Sequence, residues 1–159
     1  VMFFEHKALY RSVKDDVPED YYTIPIGTGN IIKEGENLTI VTYGQSVYWA
    51  QDISLDYEKQ GVSIEVIDLR SLVPWDKILV EKSIKKTNKA LVLHEANLSG
   101  GIGGEIASYI SEHFFESLDA PVVRLGSLDT PVPFSKGIES DIYLPTSRIK
   151  EKVDYLLEY

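Results

Sequence analysis

The stretch LHEANLSGGIGGEIASYI, from Leu93 to Ile110, contains the strongest indication of how this chain folds. An apolar run ends in His94 and Glu95, four glycines follow within five residues, and apolar residues then recur at helical spacing. This order predicts a buried strand, a tight turn and a helix with one apolar face. The glycines could either cradle a phosphate at the start of the helix or only turn the chain.

The same strand–turn–helix unit occurs on both sides of this stretch, because short β-branched runs alternate with segments of helical periodicity. The predicted strands are 38–44, 62–70, 89–96 and 120–127, and the predicted helices are 45–61, 74–88, 101–118 and 146–159. Three alternations at short spacing favour parallel pairing with right-handed crossovers. The residues therefore predict an α/β domain with a mostly parallel sheet and helices on both faces.

Individual side chains predict where two of these helices begin and which way they face. Asp76 is a suitable amino-terminal cap for the second helix, with Ile78 and Leu79 directed inward. Thr146 or Ser147 could cap the last helix in the same way. The predicted caps and the predicted inward side chains can each be compared with the folded structure.

The composition excludes several classes of protein. The chain has 159 residues, a hydrophobic content of 43% and a net charge of −9, with no dense run of lysine or arginine. Nucleic-acid binding is therefore not expected. With no cysteine in the sequence, disulfides and thiolate chemistry are excluded. Since no apolar stretch is long enough to span a bilayer, a membrane partner is not expected.

The glycine turn matches known phosphate-binding patterns poorly. Gly101 and Gly103 form G-x-G, but Ile106 stands where the dinucleotide fingerprint has its third glycine, and no Walker pattern occurs. We interpret the turn as structural, while an anion bound there stays open. The residues of this structural turn or anion site are Gly100, Gly101, Gly103, Gly104, His94 and Glu95.

Catalytic and metal-binding signals are weak. His94 could be a general base at the end of its strand, but no serine or cysteine occupies a nucleophile elbow. The three histidines show no metal-ligand spacing, so no metal site is predicted. Asp68 and Arg70 are two residues apart on a predicted strand, which predicts a partly buried ion pair.

Residues 5–37 have poor periodicity and many turn residues, which predicts a linker over the surface. The chain also opens inside an apolar run, VMFF, without polar residues before it. We interpret this start as a cut through a larger protein, with the domain proper at 31–159. In that case Phe3 and Phe4 should be disordered or should pack against another copy.

Seven segments, taken together, resemble one family in order along nearly the whole chain. They are FFEHKALYR, LTIVTYG, VIDLRSLVPWD, SIKKTNKALVLHEA, GGIGGEIASYI, LDAPVVRLGSLDTPVPF and YLPTSRI. The chain resembles the carboxyl-terminal part of the β subunit of thiamine-diphosphate-dependent 2-oxoacid dehydrogenases, the decarboxylating first components of the pyruvate and branched-chain complexes. The segment DLRSLVPWD is closer to the branched-chain type.

The resemblance implies a transketolase-like carboxyl-terminal domain with a mostly parallel five-stranded sheet. It implies that residues 1–30 are the tail of a preceding pyrimidine-binding domain plus a linker. The complete enzyme would use thiamine diphosphate and magnesium to decarboxylate a 2-oxoacid oxidatively and acylate a lipoyl group. The family's cofactor-activating carboxylate and catalytic histidine lie upstream, so no catalytic, cofactor-binding or metal residue is assigned to this chain.

The resemblance also implies partners and a location. The partners are the α subunit, a second β subunit and the subunit-binding domain of the acyltransferase core. The acidic or terminal residues that could meet that domain are Tyr159, Glu158, Asp129 and Asp119. The location would be the cytoplasm in a prokaryote and the mitochondrial matrix in a eukaryote.

Two alternatives remain open at this stage. One is the terminal domain of another thiamine enzyme, such as a transketolase or a deoxyxylulose-phosphate synthase. It would need phosphate-recognising groups, and only Arg70 and Arg124 are arginines at predicted strand positions. The other is a stand-alone doubly wound module that holds a nucleotide at the glycine turn.

Overall fold

The computed structural model describes residues 4–159. Its strands are β1 (Asn30–Lys33), β2 (Leu38–Thr42), β3 (Ile64–Asp68), β4 (Ala90–Asn97) and β5 (Val123–Ser127). Its helices are α1 (Leu9–Ser12), α2 (Ser46–Glu58), α3 (Lys77–Thr87), α4 (Gly103–His113), α5 (Lys136–Ile138) and α6 (Ile149–Leu157), with short turns of 3-10 or π helix at Phe115–Ser117, Glu139–Tyr143 and Thr146–Arg148. The four predicted strands and the four predicted helices are all present, so the predicted alternation is confirmed.

The five strands form one sheet in the order β1-β3-β2-β4-β5. The inner pairs are parallel, so that Ile40 of β2 lies between Val66 of β3 and Leu91 of β4. β5 also runs parallel to β4, while β1 runs antiparallel to β3 at the edge. The mostly parallel five-stranded sheet that the resemblance implied is therefore confirmed.

The edge strand β1 was not identified from the residues. It has four half-buried residues, and its register with β3 shifts between Ile31 and Lys33. Such a short, irregular strand carries too little periodicity to be separated from a linker. The boundary placed at residue 31 falls one residue inside this strand.

Hydrophobic side chains cover both faces of the sheet. Successive residues of β2 point to opposite faces, because Ile40 belongs to the core beneath α2 and α6 and Val41 to the core beneath α3 and α4. Central strands that are covered on both faces read as continuous apolar runs, which explains their clear signal in the sequence. Helices on both faces are thus confirmed.

The helix ends agree only in part with the sequence analysis. The Asp76 carboxylate accepts a hydrogen bond from the backbone N–H of Leu79 at 2.9 Å, so the predicted cap is confirmed. The inward orientation of Ile78 was wrong, since this side chain is 66% exposed. No side chain caps α6 among the described residues, because a 3-10 turn containing Thr146 and Ser147 leads directly into it.

The ion pair expected between Asp68 and Arg70 is not among the ion pairs formed within residues 4–159. β3 ends at Asp68, and Arg70 adopts a left-handed conformation with φ of 56°. The two side chains therefore no longer share a face of the sheet. Instead, the backbone N–H of Arg70 donates to the Asp68 carboxylate at 3.0 Å.

A buried carboxylate joins α3 to the sheet. Glu65 on β3 is fully buried and accepts hydrogen bonds from the Ser83 hydroxyl and the Lys86 ammonium, both on α3. Thr39 on β2 extends this network through contacts with Ser83 at 2.6 Å and Thr87 at 2.7 Å. Because a buried charge is tolerated only when it is paired and hydrogen-bonded, this network fixes where α3 sits on the sheet.

Candidate functional site

In a doubly wound sheet, ligands usually bind at the carboxyl ends of the strands where the strand order reverses. Here the chain leaves β2 for β3 on one side and then crosses to β4 on the other, so the reversal lies between β2 and β4. Tyr43 and Gly44 follow β2, and Glu95 belongs to the last part of β4. This crevice is therefore a candidate ligand-binding site.

His94 lies beside the crevice but is enclosed. It is fully buried, and its Nδ1 donates to the carbonyl oxygen of Ala96 at 3.0 Å. Its Nε2 has no hydrogen-bond partner among residues 4–159. Burial lowers the pKa of this imidazole below its usual value, and the nearby Arg124 charge acts in the same direction. Burial therefore favours the neutral form of His94, whose ring lies in the interior.

Three glycines enclose the His94 ring. A side chain on Gly103 would overlap ring atoms Cδ2 and Nε2, while a Cβ on Gly101 would lie 2.9 Å from Cε1. On β5, a Cβ on Gly126 would lie 2.8 Å from the same Cε1. The turn lacks side chains because the imidazole needs that space. The unprotonated Nε2 lies against the first residue of α4, where the helix dipole favours electron-rich groups.

The predicted site residues thus separate into two groups. Gly101, Gly103 and His94 pack together in the interior, and Gly126 joins them although sequence reasoning missed it. A glycine within a strand indicates a close approach of backbone, but the sequence does not say to what. Gly100 stays at the surface with φ of 75° and open space around it.

Glu95, unlike its neighbour, remains half exposed at the crevice. Its carboxylate lies 2.8 Å from Nε2 of His6, which belongs to the segment before the domain. Its backbone carbonyl accepts a hydrogen bond from the Ser127 hydroxyl. Glu95 therefore connects three parts of the chain at the carboxyl edge of the sheet.

A second candidate is an open groove near the carboxyl end of the chain, which we call the terminal groove. It has a volume of about 420 Å³ and brings together two of the predicted partner-binding residues, Asp119 and Tyr159. Its remaining lining residues are Ser111, Phe115, Leu118, Ala120, Pro121 and Val122. Phe115 is 75% exposed and Tyr159 is 60% exposed, so aromatic surface faces solvent at this groove.

The other two predicted partner-binding residues do not line the groove. Glu158 is exposed next to it in sequence. Asp119 precedes β5 and Asp129 follows it, so the two aspartates lie at opposite ends of this strand. Hydrogen bonds from the side chain and the backbone of Ser99 lower the pKa of Asp129, whose carboxylate ties two loops together.

The described residues also bear on metals, cofactors and membranes. Within residues 4–159, no three histidine, cysteine, aspartate or glutamate side chains are gathered where they could hold a metal ion. At the end of β4, His94 is buried and Glu95 is engaged with His6, so these two side chains offer no donor set for a magnesium diphosphate. These two residues therefore do not fit the cofactor. In the same part of the chain, no helix has the length and apolar character needed to cross a bilayer.

Comparison with known proteins adds the family. The family model described as transketolase, C-terminal domain, matches residues 27–149. The chain belongs to this family. The matched range begins three residues before β1 and ends at the first residue of α6, so the transketolase C-terminal domain includes the whole sheet.

Relatives of this domain are β subunits of dehydrogenases. Over 160 residues the chain is 43% identical to "2-oxoisovalerate dehydrogenase subunit beta 2, mitochondrial" of Arabidopsis thaliana, covering 98% of the chain and 44% of that protein. It is 39% identical to "Pyruvate dehydrogenase E1 component subunit beta" of Staphylococcus aureus, covering 100% of the chain and 49% of that protein. The chain therefore spans about half the length of the curated relatives it matches.

A solved structure supports the fold. The structure described as "Split gene transketolase, inactive beta4 tetramer" superposes with a TM-score of 0.75 at 27% identity, covering 89% of this chain and 47% of that one. The expected transketolase-like architecture is thereby confirmed.

Proposed function

We propose that this domain is the assembly end of the β subunit of a thiamine-diphosphate-dependent 2-oxoacid dehydrogenase. It would pair β subunits, contact the α subunit and bind the subunit-binding domain of the acyltransferase core. The whole enzyme would decarboxylate a 2-oxoacid oxidatively and acylate a lipoyl group, using thiamine diphosphate and magnesium held outside residues 4–159. Similarity to dehydrogenase β subunits over the length of the chain supports the enzyme assignment, and the terminal groove supports the docking role.

The groove has the chemistry of a protein interface. Phe115 and Tyr159 present aromatic surface, and Asp119 provides an exposed carboxylate at the same place. Aromatic residues are enriched at interfaces, while charges at the rim select the partner and accelerate association. With a net charge of −9, the chain would attract a basic partner.

The substrate of the enzyme is proposed from the sequence, and its location is proposed from the relatives. Two branched-chain relatives are 43% and 38% identical to the chain and a pyruvate relative is 39% identical, so identity does not separate the two substrates. The segment DLRSLVPWD, which resembles the branched-chain type, favours a branched-chain 2-oxoacid. The relatives come from a plant mitochondrion and from a bacterium. We accordingly place the enzyme in the cytoplasm of a prokaryote or in a mitochondrial matrix.

The test is a calorimetric titration of the chain with the isolated subunit-binding domain of a branched-chain acyltransferase. We expect saturable binding that Asp119→Asn weakens by about three- to tenfold, because this carboxylate lies on the rim of the groove. Asp129→Asn is the matched control, since it removes the same charge at the opposite end of β5.

The control should bind like the unaltered chain. If the unaltered chain fails to bind, or if both substitutions weaken binding equally, the groove is not the docking surface.

A further inference from the structure

The segment before the domain lies over the carboxyl edge of the sheet. This leader, residues 4–13, contains one helical turn, α1. Leu9 of α1 and Val13 after it face Gly44 and Tyr48, near the start of α2, across a cavity of about 430 Å³. The leader thus covers the flank of the crevice between β2 and β4, where a doubly wound sheet would otherwise accept a ligand.

The leader is attached very sparsely. Within residues 4–159, only one hydrogen bond joins it to the strands and helices of the domain, from His6 to Glu95 at 2.8 Å. The other hydrogen bonds of the leader are internal, such as those from the Leu9 and Val13 backbone N–H groups to the carbonyl oxygens of His6 and Leu9. Leu9 and Val13 are half-buried, so apolar packing supplements this single hydrogen bond.

The contact itself has the character of a built connection. Both side chains are only partly exposed, 30% for His6 and 37% for Glu95. His6 Nδ1 is buried and has no hydrogen-bond partner in the part of the chain that the structure describes, so the whole ring is held close to the protein surface. The Glu95 backbone is held in β4, where its carbonyl oxygen accepts a hydrogen bond from the Ser127 hydroxyl on β5.

We propose that His6 and Glu95 form a latch that holds the leader over the switch-point crevice. The latch closes the crevice with the chain's own residues and fixes where the chain enters the domain. It does not depend on the proposed function, because any protein that continues upstream of the leader would be positioned by it.

Proteolysis can detect release of the leader from the domain. Lys7 and Arg11 lie within it and are exposed, so trypsin cleaves there whenever the leader opens. We expect His6→Ala and Glu95→Ala each to raise the rate of cleavage after these two residues by about five- to tenfold, since one charged hydrogen bond is lost. The double variant should cleave no faster than either single variant, because both substitutions break the same bond.

His113→Ala is the matched control, since this histidine is exposed on α4 and its Nδ1 contacts only its own helix, at the Tyr109 carbonyl. It should cleave at the unaltered rate. Hydrogen exchange of the Leu9 and Val13 amides gives a second readout that does not depend on the protease. Unchanged cleavage and exchange in both latch variants, or additive increases in the double variant, would overturn the proposal.

Discussion

The glycine turn is easy to recognise in the sequence but buried in the fold, whereas the terminal groove is hard to recognise in the sequence but exposed in the fold. The turn, with four glycines beside a histidine, is the most conspicuous feature of the sequence, yet it encloses a neutral, buried His94. The groove is assembled from residues of α4, of the segment between α4 and β5 and of the chain end, and its Phe115 and Tyr159 face solvent.

The difference shows that a glycine-rich turn has two physical uses. Glycines bring a backbone close either to a ligand or to another part of the protein. In this chain the close neighbour is an internal imidazole, which takes the space and the electrostatic position that an anion would take at the start of α4. An open surface, by contrast, needs no special backbone and leaves no local signal.

The largest effect should come from filling the space beside His94. Gly103→Ala would place a methyl group on the imidazole ring, and we expect it to lower the free energy of unfolding by about 2 kcal/mol, the usual cost of overpacking a core. Urea denaturation measures this loss.

Gly104→Ala is its neighbour and control. Its Cβ would lie 3.3 Å from the end of the Arg124 side chain, which can move away. Because alanine favours a helix over glycine, this variant should be unchanged or more stable by up to about 1 kcal/mol. Equal stability of the two variants would mean that the ring is not enclosed as described.

A smaller effect should appear in the dependence of stability on pH. Burial lowers the pKa of His94 in the folded chain, while the unfolded chain regains a value near 6.5. Below that value the unfolded state takes up a proton that the folded state does not. Stability is therefore expected to be complete above about pH 7 and to fall below about 6.5, by at most ~1.4 kcal/mol per pH unit from this residue.

His94→Asn isolates this contribution, because an asparagine amide can also donate to Ala96 but does not titrate. The unaltered chain should lose stability on mild acidification faster than the variant. Parallel curves for the two proteins would show that His94 is not held neutral by the fold.

The smallest effect on stability should come from the groove. Phe115 is 75% exposed, so Phe115→Ser should change the free energy of unfolding by less than about 0.5 kcal/mol. The same variant should nevertheless weaken binding of the subunit-binding domain, because it removes aromatic surface from the rim. A large loss of stability with unchanged binding would reverse the roles assigned to the turn and the groove.

The sequence analysis succeeded where local patterns reflect burial. β2, β3 and β4 were predicted because strands covered on both faces are continuously apolar, and Asp76 was identified because a cap acts within one turn. It failed at β1 and at Ile78, where few residues or a partial face make periodicity ambiguous. The ion pair of Asp68 with Arg70 failed because the left-handed backbone at Arg70 has no signature in the sequence.

The candidate sites divide in the same way. Asp119 and Tyr159 could be named from the resemblance, but their meeting in one groove depends on where α4, β5 and the chain end come to lie. Asp129 was also predicted to bind the partner, but it lies at the other end of β5 from Asp119. Glu95 was named as part of the turn, and its contact with His6 joins residues 89 positions apart.

The order of residues was enough to establish an α/β domain of alternating strands and helices and the family to which it belongs, because periodicity and motifs are local properties of a chain. Whether the glycines face a ligand or a histidine, and which acidic residues share a surface, became known only from the packed molecule. These outcomes depend on contacts between β4, β5 and α4 and between the leader and the sheet edge. His94 and Gly103 are close along the chain, but only folding brings Gly126 against His94 and His6 against Glu95.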